Sequence, residues 1–217
     1  MQQERNTKRA ATPSNKFGLS RYEVKSTIEP GRRPAVPKHH QYSRYRRRIG
    51  CSRYPHAAHQ APWATVISCA DSRVPPELIF GGHGVGELFV ARNAGNLVDT
   101  ATLGTVEYGA AVLGSPFIVV LAHTSCGAVK AACDVVTKNA TYPGAIGPMI
   151  EPILPAALAV RSDPGDLVDN AAKESAKRTA RRLTTASTLI AGLAGAGKLK
   201  IAAAIYDLNT GVVTYLD

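Results

Sequence analysis

The sequence predicts an α/β protein: a mainly parallel sheet of four strands plus an antiparallel edge strand, in the order 2-1-3-4-5, flanked by helices and preceded by a basic N-terminal arm. Three observations predict it. Short apolar runs alternate with helical stretches from Trp63 onward, the pattern of parallel βαβ units. Two of those runs end directly in chemistry-bearing residues, as expected where the carboxyl ends of strands open on a crevice. Near the C terminus, Asn209-Thr-Gly211 makes a tight turn that folds the last run back on the one before it.

The first segment, residues 1–57, reads as a poorly patterned arm. It mixes Pro, Lys, Arg, Gln and Ser, lacks sustained apolar periodicity, and carries the cluster Arg44-Tyr-Arg-Arg-Arg48. The formal net charge of +10 belongs to it: residues 1–55 hold 14 Lys/Arg against 3 Glu, whereas the rest of the chain sets 12 Lys/Arg against 13 Asp/Glu. Charge alone attracts any polyanion without reading it, so a solvated arm that orders against another subunit is preferred to nucleic-acid or membrane contact. The longest strongly apolar run, Phe117 to Ala122, is far shorter than the roughly 20 residues a spanning helix needs, and no apolar stretch near Met1 reads as a secretory signal. The expectation is a cytoplasmic protein without a membrane span, an Arg-rich, acid-poor beginning leaving organellar targeting open.

Residues 58–217 are expected to form the catalytic domain, since 217 residues suffice for one well-buried α/β domain. Ala64–Ser68, Leu88–Arg92 and Phe117–Ala122 read as buried strands, with a crossover helix from Thr100 to Leu113 that stops at Gly114. A long helix is predicted from about Leu167 to Leu193, ending at Gly195-Ala-Gly197. Leu199–Tyr206 is the fourth strand, and Val212–Leu216 the antiparallel edge.

Chemistry enters where the first strand ends. In Ser68-Cys-Ala-Asp-Ser-Arg73 a thiol, a carboxylate and a guanidinium stand at alternate positions, which in an extended segment aims all three to one side. The third strand ends in His123-Thr-Ser-Cys126-Gly127, an imidazole and a thiolate close enough in sequence to reach one ion. With Cys69 alongside, the set becomes Cys₂His, three protein ligands for one zinc ion with a fourth tetrahedral position open, the arrangement of a catalytic site. The remaining cysteines, Cys51 and Cys133, do not make a disulfide scaffold, and Cys133 reads as a small buried hydrophobe.

On these residues the sequence resembles the β-class carbonic anhydrases. The resemblance rests on Cys69-Ala-Asp71-Ser-Arg73, on Gly86-Glu-Leu-Phe-Val-Ala-Arg-Asn-Ala-Gly95-Asn96, and on His123-x-x-Cys126-Gly127, in the family's order and over residues 58 to 217. It implies a zinc lyase for the reversible hydration of carbon dioxide to bicarbonate and a proton, in which zinc-bound hydroxide is oriented by Asp71 and Arg73 holds that carboxylate. It further implies substrate contacts from Gln60, Phe89, Ala94, Tyr108 and the backbone of Gly127. A homodimer or homotetramer is implied as well, Gln60 reaching across the subunit interface.

The sequence departs from the family at several points. The arm lacks the amphipathic, aromatic-marked helix that embraces the neighbouring subunit. Gly81-Gly-His-Gly84 is one residue longer than usual, Ala122 replaces a glycine before the histidine, and Val66 stands where allosteric members carry tryptophan, so a site without bicarbonate gating is expected. Gly192 to Leu199 nearly spells a P-loop, but it lacks Ser/Thr after Lys198 and lies between a helix and a strand instead of the reverse. His56 and His59 could share a helical turn but have no third ligand. Two rival functions use the same residues: hydrolysis of carbonyl sulfide or carbon disulfide, and an inactive zinc-bearing module that binds through the arm.

Overall fold

A computed structural model describes residues 59–80 and 86–216. The arm, His56 and the Gly81–Gly84 segment lie outside the described residues. Strand β1, Ala64–Cys69, is buried along its whole length, as expected of a β-branched run covered on both faces. A single turn, α1 (Pro76–Ile79), leads to β2 (Leu88–Asn93). Helix α2 (Thr100–Glu107) starts where Asp99 accepts the Thr102 N–H, and it runs into a π-helical turn over Tyr108–Val112 that Gly114 closes at φ 71°. After β3 (Phe117–His123) come α3 (Gly127–Lys138), α4 (Ile146–Ile150), a 3₁₀ turn (Glu151–Ile153), α5 (Leu154–Ala159), α6 (Leu167–Ala186) and α7 (Thr188–Gly195). Strands β4 (Lys200–Tyr206) and β5 (Val213–Leu216) complete the sheet.

The sheet order is β2-β1-β3-β4-β5, with the first four strands parallel and β5 antiparallel to β4. This is the predicted order. Alternation along the strands divides the core: Ile67, Cys69, Ile118, Val120 and Ala122 pack with the helices, whereas Val66, Val119, Leu121, Ala204 and Tyr206 pack with Val74 and Ile79. Because β1 and β3 are adjacent, their carboxyl ends deliver Cys69 and His123 to the same edge, where the strand order reverses.

Two expectations change, and one segment had none. The single helix predicted over 167–193 is two, because Ser187 takes an extended backbone (φ −129°, ψ 113°) and caps α7 by accepting the Ile190 N–H. The Ser187 hydroxyl also donates to Glu107 Oε1 at 2.5 Å, so a contact 80 residues distant holds the break in place. Asp71 to Arg73 is not extended: the Val74 N–H returns to Asp71 O at 3.1 Å, and a turn, not strand alternation, brings Arg73 against Asp71. The helices over 146–159 carry no prediction above, their first turns being marked by Pro148, Pro152 and Pro155 in a segment of weak periodicity.

Candidate metal centre

Cys69 closes β1, His123 closes β3, and Cys126 is the residue from which α3 departs. All three are buried, and their ligand atoms lie within 4.8 Å of one another, with the two sulfurs 3.9 Å apart. Chain reversal between β3 and α3 is abrupt, and Ser125 achieves it at φ 54°. The preceding residue is tied to the end of β4, Thr124 N–H donating to Tyr206 O and Thr124 Oγ1 accepting from the Leu208 N–H, each at 3.0 Å.

The donor set fits a metal on one structural observation. His123 Nδ1 is 2.9 Å from the Thr124 carbonyl, which can only accept, so the proton sits on Nδ1. The other nitrogen, Nε2, is buried, has no hydrogen-bond partner, and presents its lone pair toward the sulfurs' side of the crevice. An orphaned buried acceptor beside two thiols is what a soft divalent ion completes, and the Thr124 contact is the outer hydrogen bond that orients a ligating imidazole.

The thiols are electronically unequal. Cys69 is drawn down by the proton it shares with Cys126, against the opposing effect of burial, and by the backbone N–H groups of Gly95 and Asp71. Those N–H groups stand 3.4 and 3.5 Å from its sulfur. Cys126 is pushed up by the same shared proton and by burial. One sulfur is thus readily a thiolate, and a cation in place of the shared proton would release the other.

Asp71 is held by one residue three times. The Arg73 N–H and Nε donate to Oδ1, each at 2.9 Å, and its terminal nitrogen donates to Oδ2 at 2.7 Å. These bonds hold the Asp71 carboxyl well below the usual carboxylate range, against the opposing effect of burial and assisted by the positive charge of Arg73. Asp71 Oδ2 lies 3.9 Å from His123 Nε2. The carboxylate therefore borders the ligand trio while staying bound to its guanidinium.

Residues 64–213 of the 217-residue chain match the family model described as carbonic anhydrase. Carbonic anhydrase 2 of Mycobacterium tuberculosis is 39% identical over 155 residues, covering 71% of this chain and 74% of its own. The Coccomyxa β-carbonic anhydrase in complex with acetazolamide superposes with a TM-score of 0.67 at 25% identity, over 83% of this chain and 87% of that one. The chain belongs to the β-carbonic anhydrase family. It is an enzyme of that family, and its fold is also that of the tetrameric β-carbonic anhydrases of Sordaria macrospora (TM-score 0.66, 24% identity, 82% and 88% covered).

Of the residues that the β-carbonic anhydrase resemblance singled out, the structure gathers Cys69, His123, Cys126, Asp71 and Arg73 in one place. Phe89 and Tyr108 form a ring pair with centroids 6.0 Å apart, Phe89 half-buried and Tyr108 48% exposed. Ala94 is half-buried in the loop that sends the Gly95 N–H to Cys69. Gly127 opens α3 and faces open space, and Gln60 is exposed. Arg92 goes unassigned above, although it lies inside a quoted motif: it donates to Cys69 O at 2.9 Å and Asp71 O at 2.7 Å, fastening the ligand segment to β2. Its place two residues before Ala94 was a signal, but both acceptors are carbonyls, which a sequence does not mark.

Proposed function

We propose that this chain catalyses the reversible hydration of carbon dioxide to bicarbonate and a proton, with zinc held by Cys69, His123 and Cys126 and with Asp71 and Arg73 as an orienting pair. The observation that carries the reading is the position of Asp71, 3.9 Å from the unpartnered Nε2 of His123 and bound at both oxygens by Arg73. When bound, zinc supplies Lewis acidity that lowers the pKa of a coordinated water toward neutrality. An ionised Asp71 can only accept, so it selects an oxygen nucleophile that still carries a proton and turns that oxygen's lone pair toward the substrate. Arg73 keeps the carboxylate from swinging inward to become a fourth ligand. The Gly95 and Asp71 N–H groups draw charge from the Cys69 sulfur, which offsets the tendency of two thiolates to make the ion less acidic.

Phe89, Tyr108 and Ala94 would line the small apolar substrate site, the Gly127 N–H at the start of α3 would meet an anionic product, and Gln60 would donate to it from a neighbouring subunit of a homodimer or homotetramer. No helix among the described residues is long and apolar enough to cross a membrane, and a cytoplasmic location accords with that. Stopped-flow hydration of carbon dioxide beside sulfide release from carbonyl sulfide tests the reading on zinc-loaded protein. Rapid hydration is expected; negligible hydration with rapid sulfide release would overturn it. In Arg73→Ala the hydration rate should fall about 100-fold at unchanged zinc content, and a variant with the wild-type rate would remove the orienting pair from the mechanism.

A further inference from the structure

We propose that Asp169 is a positioning residue for the metal centre, acting through the Ser125 amide to fix the turn that presents His123 and Cys126. The inference rests on the reading of Cys69, His123 and Cys126 as a zinc site, and Asp169 lies outside the motifs that carry the family resemblance. Among the described residues, three that are not glycine have positive φ: Asn96, Ser125 and Asn139. Asparagine enters that region readily, but serine does so only at a cost, so something must hold Ser125 there. That left-handed step sends the chain from β3 into α3 within three residues and sets the Cys126 sulfur 3.9 Å from that of Cys69.

The holding contact comes from α6. Asp169 Oδ1 accepts the Ser125 N–H at 2.8 Å, across 44 residues of chain. A carboxylate acceptor makes this a charge-assisted bond, stronger than the neutral bonds that tie the Thr124 N–H to Tyr206 and the Thr124 hydroxyl to Leu208. Asp169 is itself fixed, since its N–H donates to the Asp166 cap at 2.9 Å. Behind it, Ala171, Ala172, Ser175, Ala176, Thr179 and Leu183 seat α6 in the core. The ligand turn is therefore gripped from two independent elements, the end of β4 at Thr124 and the first turn of α6 at Ser125. Without the second grip the Ser125 peptide relaxes toward negative φ and Cys126 leaves the position from which its sulfur meets Cys69 and His123.

Zinc release from the loaded full-length protein to a colorimetric chelator tests this, with melting temperatures recorded alongside. Asp169→Ala is expected to release zinc at least about 10-fold faster than wild type, the scale of a lost outer-sphere contact. Asp169→Asn, whose neutral amide oxygen still accepts the Ser125 N–H, should release zinc at a rate between those of wild type and Asp169→Ala, and Asp166→Ala, which loosens Asp169 without removing that acceptor, should accelerate release less than Asp169→Ala does. Adding Ser125→Gly to Asp169→Ala should restore retention, because glycine holds positive φ unaided. If Asp169→Ala does not fold, Asp169→Ser, too short to reach Ser125 yet suited to a helix start, takes its place with the same expectation. Wild-type release from the Ala or Ser variant, equal acceleration by Asp166→Ala, or no rescue by Ser125→Gly would each overturn the proposal. Protein that holds no zinc at all would instead overturn the zinc reading on which it rests, whereas one zinc per chain with an indifferent Asp169 would leave that reading intact.

Discussion

Asp71 and Arg73 are two residues apart, and their joint geometry makes a pH prediction. Three hydrogen bonds to the ionised carboxylate place its folded pKa below the unfolded value of about 3.9. The folded state binds that proton less readily than the unfolded one, so the stabilisation is complete above the unfolded pKa and is lost as pH falls toward the depressed folded value. Asp71→Asn lacks this contribution at every pH. The difference in urea-unfolding stability between wild type and Asp71→Asn, both zinc-free, should be constant above about pH 5 and shrink below about pH 4. A difference that widens on acidification would contradict the assignment. The carboxylate and guanidinium and their spacing were readable as a motif, whereas Arg92 was not, because it acts on carbonyl oxygens that every residue possesses.

Helix α2 and the π turn that continues it lie against β1 and β2 closely enough that side-chain size becomes decisive at one glycine. A Cβ on Gly109 would strike the Thr65 hydroxyl and approach Phe89 Cδ1 to 2.9 Å, whereas one on Gly104, one turn earlier, would meet nothing within 4 Å. Gly109→Ala should therefore destabilise the protein by about 1–3 kcal/mol through overpacking. Gly104→Ala should stabilise it by about 0.5–1 kcal/mol through helix propensity. Paired thermal melts check both signs, and a Gly109→Ala protein as stable as wild type would contradict the close approach. Sequence periodicity located this helix but not its change to a π turn over Tyr108–Val112.

For the whole molecule, the decisive feature is the separation of a basic N-terminal segment from a nearly neutral catalytic region. The family match starts at residue 64, beyond the 14 Lys/Arg and 3 Glu of residues 1–55. Removing residues 1–55 should leave zinc content and far-ultraviolet circular dichroism unchanged while abolishing any low-salt retention on nucleic acid, since counterion release scales with the number of cations engaged. Loss of zinc from the shortened chain would show that the basic segment supports the metal site, contrary to this division. The sheet tolerates such removal in principle because its five strands and their register lie wholly within residues 64–216.

The sequence by itself determined where the strands run, the antiparallel edge, and the two strand ends that carry Cys69 and His123-x-x-Cys126, whereas the order of the strands was implied by the family resemblance and is fixed by the fold. The first three are properties of local pattern: buried β-branched runs, turn residues, and soft ligands at short spacing. The tertiary structure alone decided how those ligands are held. The Ser187 break depends on Glu107, the Ser125 turn on Asp169, the Thr124 hydroxyl on Leu208, and the Cys69 sulfur on the Gly95 amide. In the last three, one side of the bond is a backbone group without identity in the sequence, and all four join residues at least 26 positions apart. Periodicity and motif report what a residue can do, and only the folded chain determines which distant group its hydrogen bonds find.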